Sequence, residues 1–281
     1  MAHEIIPEAE ALIDREIGVL DKGFVRLVDY MGGDARIVQS ARVSYGEGTK
    51  SVREDRALIH YLMRHLHTSP FEQVILTFHA KMPIFVARQW VRHRTARLNE
   101  ISGRYSVMRD EFYVPDPALI RRQSKSNRQG RDEEALPAEL CKRVSDLILS
   151  DQSEAYRHYE EMLGDDIARE LARINLPLSL YTEWYWQIDL HNLFHFIRLR
   201  ADAHAQWEIQ EYARAIAQCA RAVAPLAYEA FEDCILHAAR FTRTEMDALR
   251  AMLRGEPCPL EKGRARREFF EKLQVADLAI K

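Results

Sequence analysis

The chain lacks any C-x-x-C pair. Its four cysteines, Cys141, Cys219, Cys234 and Cys258, are scattered over 281 residues. That excludes a disulfide framework or a zinc ribbon and suits free thiols in a reducing, cytoplasmic compartment. No apolar run approaches the length of a membrane span, and the acidic opening MAHEIIPEAEALIDREIG has no apolar signal-peptide core. No G-x-G-x-x-G follows a strand-like stretch, so a Rossmann dinucleotide fold is not expected. Gly46–Lys50 (GEGTK) reads as a turn but lacks the spacing of a phosphate loop, and no G-x-S-x-G elbow occurs. His191 and His195 stand four apart, yet Asn192 occupies the place where H-E-x-x-H needs glutamate. No metal site is therefore expected. A large excess of one charge is also missing: the formal net charge is −3, with 47% apolar and 30% charged residues. A soluble globular protein fits that composition; a general binder of nucleic acid or membrane surfaces does not.

Against that balance, one segment stands out. Residues 88–109 hold six arginines (Arg88, Arg92, Arg94, Arg97, Arg104, Arg109) and one acid, Glu100. Guanidinium forks match the geometry of phosphate oxygens, so an anionic ligand is the simplest reason for such a concentration.

The surrounding pattern places this segment. Phe24–Tyr30 alternates and reads as a strand ending in a turn at Gly32 and Gly33. Ala35–Ser44 is ambiguous, a short helix being its one assignment. Glu54–Leu66 reads as an amphipathic helix, broken at HTSPF (67–71). Glu72–Lys81 is rich in β-formers and reads as a central strand. Pro83 then opens a helix over about 83–94, with Ile84, Ala87 and Val91 as its apolar stripe and Gln89, Arg92 and His93 as a polar edge. Residues 95–107 leave it as loop or strand.

Residues 110–136 read as an insertion, flexible in its middle, where RRQSKSNRQGR (121–131) carries five cations. It is open between a solvated loop and a lid over an anionic substrate. Helices are predicted over about 138–164, 165–175, 189–223 and 226–253, with Leu176–Trp186 β-like and the stretch after Gly255 a charged tail. Strands come early and helices late, which predicts an α+β fold in a single catalytic domain, 1–281.

On a helix running from 189 to 223, His191, His195, Arg198 and Asp202 share a polar stripe. Arg200 falls opposite, beside Leu193, Phe196, Ala203 and Trp207. A charge on an apolar stripe is costly unless paired. Arg200 is thus either a buried ion pair, a snorkelling side chain, or an arginine aimed into an active-site cavity. Ser102 has no triad around it, so donation of its hydroxyl to a phosphate is the better reading than nucleophilic attack. His67 and Ser69 by themselves suit the end of one element and the start of another.

The residues also carry a resemblance. Arg92-His93-Arg94, then Asn99-Glu100 and Ser102-Gly103-Arg104-Tyr105, resemble the flavin-dependent thymidylate synthase signature RHR-x-x-S-x-x-x-x-S-x-R. HTSPFE (67–72), PIFVARQW (83–90) and LRADAHAQWE (199–208) resemble further segments of that family in the same order, so the likeness spans most of 24–215. Arg97 stands where the signature has its first serine, and no hydroxyl contact carries over there.

The resemblance implies a twisted, mainly antiparallel sheet with long helices and a helix-rich C-terminal half. It implies conversion of dUMP to dTMP with methylenetetrahydrofolate as carbon donor and NADPH as reductant through FAD, in a homotetramer with shared active sites and without a cysteine nucleophile. By the same resemblance Gln89, Trp90, Val91, Arg92, Glu100, Ile101, Ser102, Gly103, Arg104, Arg173 and Arg200 would contact dUMP. Ser69, Arg92, His93, Arg94, Glu100, Asp189, Leu190, His191 and His195 would contact FAD, and Arg200, Ser102 and His67 would be catalytic. Two other readings of the residues are an RNA or nucleotide binder built on the arginine segment, and a metal-dependent phosphohydrolase using His191, His195 and Asp202.

Overall fold

The alternating stretches pair into one antiparallel sheet. The computed structural model describes residues 4–43, 52–124 and 130–275; Ser44, the Gly46–Lys50 turn and residues 125–129 of the cationic insertion lie outside them. The five strands are β1 (Glu16–Val19), β2 (Gly23–Met31), β3 (Ile75–Pro83), β4 (Arg97–Glu100) and β7 (Tyr181–Asp189), in the order β1-β2-β3-β7-β4. Every strand pairing in it is antiparallel. A separate hairpin, β5 (Arg121–Gln123) and β6 (Arg131–Ala135), lies within the insertion. The fold is α+β, as the sequence predicts, and β3 is the central strand.

Alternation decides which face is buried. Leu76, Phe78 and Ala80 of β3 lie opposite Ile188, Trp186 and Trp184 of β7, and all six are buried. The other face is polar: His79 stacks on its cross-strand neighbour Tyr185 with centroids 4.8 Å apart.

Helices cover the apolar face. α1 (Pro7–Glu10), α2 (Asp34–Arg42) and α3 (Val52–Arg64) precede β3; α4 (Ile84–Trp90) follows it. After the insertion come α5 (Ala138–Gly164), α6 (Arg169–Ala172) with a 3-10 turn at Arg173–Asn175, α7 (Leu190–Arg200), α8 (Trp207–Val223) and α9 (Pro225–Phe231). Trp90 is fully buried among Trp184, Trp186, Phe196 and Tyr212, with ring centroids 5.1 to 5.9 Å away. Tyr212 Oη donates to Lys81 O at 2.8 Å. A Cβ at Gly23 would collide with that hydroxyl and lie 2.7 Å from the same carbonyl, so the close approach of α8 to β2 requires glycine there.

Several boundaries differ from expectation; the helix predicted over 226–253, for one, is interrupted between Leu236 and Arg243. α4 ends at Trp90 instead of 94, because the chain must reverse within six residues to pair β4 with β7. Its buried face is therefore Val86, Ala87 and Trp90, while Val91 is exposed. The helix predicted from 189 to 223 is two helices: Asp202 Oδ1 accepts from His204 N at 2.8 Å, a side chain competing with the helical backbone, and Gln206 is extended (ψ 135). Asp202, Ala203 and Trp207 thus leave the stripes assigned to them. The β-like stretch at 176–186 begins with a turn, Leu180 N to Pro177 O, and the strand runs from Tyr181 to Asp189.

The chain forms two compact units, Met1–Phe231 and Glu232–Lys281. In the second, a π-helical turn (Glu232–Leu236) precedes α10 (Arg243–Leu253) and α11 (Arg264–Val275). The stretch after Gly255 thus contains a helix. Thr242 and Glu245 form a reciprocal capping box at the start of α10, and Glu245 also holds Lys272 at 2.7 Å. Ala248, Phe269 and Leu273 are the buried centre of this unit. Among the described residues no helix is long and apolar enough to cross a membrane.

Candidate active site

Two elements end at the same place. β3 runs into α4 through Pro83, whose fixed φ of −62° suits a helix entry. β7 runs into α7 through Asp189, whose Oδ1 accepts from Asn192 N at 2.9 Å and caps the helix. The last residue of α7, Arg200, reaches back to the end of α4. Its Nε donates to His93 Nε2 at 3.0 Å and its Nη2 donates to Gln89 O at 3.1 Å. Arg200 is half-buried, and burial, then the charge of Arg92, hold its pKa below the usual guanidinium value. It still carries its charge at neutral pH, because an arginine starts so high.

The donor Arg200 also fixes the state of its partner. His93 Nε2 accepts a hydrogen bond, so the proton of the neutral ring sits on Nδ1. Burial, Arg200 and His195 push the His93 pKa down to about 4, which keeps the ring neutral at physiological pH. His195 is also lowered, first by burial and then by Arg198, His191 and Arg200. Arg92, His93, Arg94, His195, Asn192 and Arg200 share the wall of a cavity of about 670 Å³ with the apolar Ile188 and Leu199. Cations, neutral imidazoles and an apolar patch together suit a ligand that is both anionic and aromatic.

A second group forms farther along the same sheet. Glu100 Oε1 accepts from Thr182 Oγ1 at 2.6 Å. Ser102 Oγ accepts from Arg104 N at 3.3 Å, its one side-chain hydrogen bond among the described residues, so no base is hydrogen-bonded to it there. Gly103 is buried against Arg173: a Cβ there would lie 3.1 Å from Arg173 Cδ and 2.9 Å from Met108 Sδ. Arg104 and Glu170 make an exposed ion pair at 3.3 Å. Glu100 pairs with Trp184, four residues before the cavity-lining Ile188, so the two groups are separated by about 14 Å of strand.

Other expected residues contribute no side chain to the cavity wall. His67 is exposed and stacks loosely on Tyr61 (6.0 Å), and Ser69 lies exposed in the same turn. The side chains of Trp90 and Leu190 are fully buried in the core. Val91 and Ile101 are exposed, and His191 lies half-buried on α7. Asp202 is bonded to His204 beyond the end of α7, so it does not join His191 and His195 on one helical face. Sequence reasoning missed Thr95, Ile188, Asn192 and Leu199 in the cavity wall, and it gave no role to Gln206 and Glu208. Asn192 had a signal: an aspartate three residues earlier is a helix-cap pattern.

Comparison with known proteins decides the family. The model for "thymidylate synthase complementing protein" matches residues 26–226, and that for "thymidylate synthase ThyX C-terminal domain" matches 239–276. The flavin-dependent thymidylate synthase of Treponema denticola is 60% identical over 262 residues, covering 93% of this chain and 98% of that protein. This chain belongs to the flavin-dependent thymidylate synthase family. The flavin-dependent thymidylate synthase of Thermus thermophilus is 59% identical over 245 residues, covering 85% and 87% of the two chains. A solved relative is the UMP/dUMP methylase PolB from Streptomyces cacaoi bound with 5-Br dUMP. It matches with a TM-score of 0.70 at 33% identity, over 77% of this chain and 97% of that one. The arginine segment and the Arg200–His93 joint both fall within the span matched by the thymidylate synthase complementing protein model.

Proposed function

We propose that this chain performs the reductive methylation of dUMP to dTMP, with methylenetetrahydrofolate as carbon donor and NADPH as reductant through FAD. The observation that carries the reading is Arg200, held by His93 and Gln89 at an arginine-lined cavity. The residues fit FAD: Arg92 and Arg94 offer forked donors for a pyrophosphate, and Ile188 and Leu199 offer an apolar wall for a ring. His93, Asp189, His191 and His195, with Ser69 and Glu100, complete its contacts, while Leu190 can contribute only backbone. FAD, when bound, supplies to the nucleotide the hydride that originates on NADPH.

The chain's own residues do the rest. Gln89, Arg92, Ser102, Arg104 and Arg173 bind and orient dUMP, with Glu100, Ile101 and Gly103 shaping the loop and Val91 beside them. Arg200 places a fixed cation by O2 and N3 of the uracil, stabilising the negative charge that develops there. C6 thereby becomes a better hydride acceptor and C5 a better nucleophile. No thiolate is needed, and burial pushes the Cys219 thiol up to about 12, which suits that route. Ser102 acts as a phosphate donor, in keeping with its having no hydrogen-bonded base among the described residues.

The separation of the two groups on one chain supports the expected homotetramer with shared sites. Tyr105 and Ile174, both more than 70% exposed beside the second group, suit burial by another copy. His67 and Ser69, which do not line the cavity of their own chain, would then serve a neighbour's. Free thiols at all four cysteines suit a cytoplasmic enzyme.

The purified protein is expected to be yellow and to oxidise NADPH faster when dUMP is added. A colourless protein that cannot be reconstituted with FAD would overturn this reading. Size-exclusion chromatography of the flavin-bound form tests the tetramer.

A further inference from the structure

Glu208, in the first turn of α8, is 1% exposed. A buried carboxylate is costly unless its lone pairs are used. Here Oε1 takes a hydrogen bond from Tyr113 Oη at 3.1 Å and the guanidinium of Arg131, and Oε2 takes one from Gln206 Nε2 at 2.9 Å. Gln206 continues the line: its Oε1 accepts from Gln89 Nε2 at 2.5 Å.

The direction of this line is dictated from one end. A carboxylate only accepts, so Gln206 must turn its NH₂ toward Glu208 and its carbonyl oxygen away. Gln89 then faces an acceptor and must turn its own NH₂ inward. An amide's two ends are nearly the same shape, and without a neighbour of fixed polarity either orientation would serve. Burial of Tyr113, and then the charge of Glu208, push its phenol pKa up, so at Oε1 it remains a donor. No described hydrogen bond uses Gln89 Oε1. The same residue's backbone oxygen holds Arg200.

We infer that Glu208 is a positioning residue that, through Gln206, makes Gln89 present an acceptor to the nucleotide. The group read by Gln89 is therefore an N–H or O–H donor of the substrate. The line also ties this choice to the insertion, since Tyr113 and Arg131 both belong to residues 110–136 and both bind Glu208. The inference rests on the proposed binding of dUMP at Gln89.

A double-mutant cycle on the flavin-loaded protein tests it. In Gln89→Glu an accept-only group meets Gln206 Oε1, and Glu208 prevents Gln206 from turning over. In Glu208→Gln the direction is lost, and Gln89 can offer either end. Each single change should weaken dUMP binding by about tenfold. In the double variant Gln206 can reverse, donate to Glu at position 89 and leave that residue's outer oxygen as the acceptor. Binding should then return to within about threefold of the parent, also at high salt, where compensation between distant charges is screened. Additive losses, or single changes without effect, would overturn the inference.

The melting temperature reads the same cycle without nucleotide: Gln89→Glu should lower it, and adding Glu208→Gln should restore it. A parent protein that binds no dUMP would sink the proposed substrate, while the relay would still stand or fall on this melting cycle. Should Glu208→Gln not fold, Gln206→Met removes the opposing acceptor instead. Gln89→Glu should then carry no melting penalty, and a penalty that persists counts against the relay.

Discussion

Arg200 and His93 form one unit: a guanidinium Nε–H donates to a neutral imidazole Nε2 at 3.0 Å, and the other arm of the fork holds Gln89 O at 3.1 Å. A lysine ammonium could keep the charge but is a point donor on a flexible stem and cannot reproduce both bonds. Arg200→Lys is expected to retain flavin and lose turnover by roughly a hundredfold, with Arg200→Ala losing more. Flavin absorbance and steady-state dTMP formation check this. Turnover in Arg200→Lys equal to the parent's would remove Arg200 from the proposed role.

The same pair has a pH signature. His93 has its folded pKa depressed from 6.5 to about 4, so between those values the unfolded chain binds the proton and the folded chain does not. Its contribution to stability is complete above 6.5 and is lost as pH falls toward about 4. Protonation would also place a cation against Arg200 and break their bond. His93→Gln keeps an acceptor but does not titrate, so its melting temperature should fall less steeply over that acid window. Parallel melting curves for the two proteins would refute the assignment.

How far the sequence foretells these features depends on whether the signal is local. The β-formers of 72–81 and the helical stretch over 138–164 are local signals, and β3 and α5 follow them. The arginine cluster is visible because composition alone marks it. The break after Arg200 is not visible: residues 201–206 contain no glycine or proline, and the turn depends on Asp202 choosing the backbone of His204 over solvent. The end of α4 is set by the pairing of β4 with β7, a long-range contact. That is why Val91 was expected on the buried face and Trp90 is found there. The pairing of Gly103 with Arg173 crosses seventy residues and has no local trace at all.

Gly103 supplies a test of that crossing. A methyl group there would lie 3.1 Å from Arg173 Cδ, 3.3 Å from Nη1 and 2.9 Å from Met108 Sδ. These are flexible side chains, so Gly103→Ala should fold, with Arg173 displaced. The expected result is dUMP affinity reduced by about tenfold with flavin content unchanged, since a charge-assisted contact contributes about 1.5–3 kcal/mol. Titration of the flavin-bound protein with dUMP measures it. Undiminished affinity would separate Arg173 from the phosphate.

Trp90 joins the sheet to the helices that carry the site, and its substitution reads the strength of that joint. The ring is fully buried against four aromatic neighbours, so Trp90→Ala leaves a large cavity and should cost about 3–5 kcal/mol. The indole N–H, however, finds no partner among the described residues. Trp90→Phe therefore sacrifices volume without sacrificing a hydrogen bond, and it relieves an unpaired buried donor. It should destabilise much less than the alanine change, a difference measurable from urea unfolding midpoints. Equal losses for phenylalanine and alanine would mean that the N–H, not the ring, anchors the end of α4 beneath Arg200.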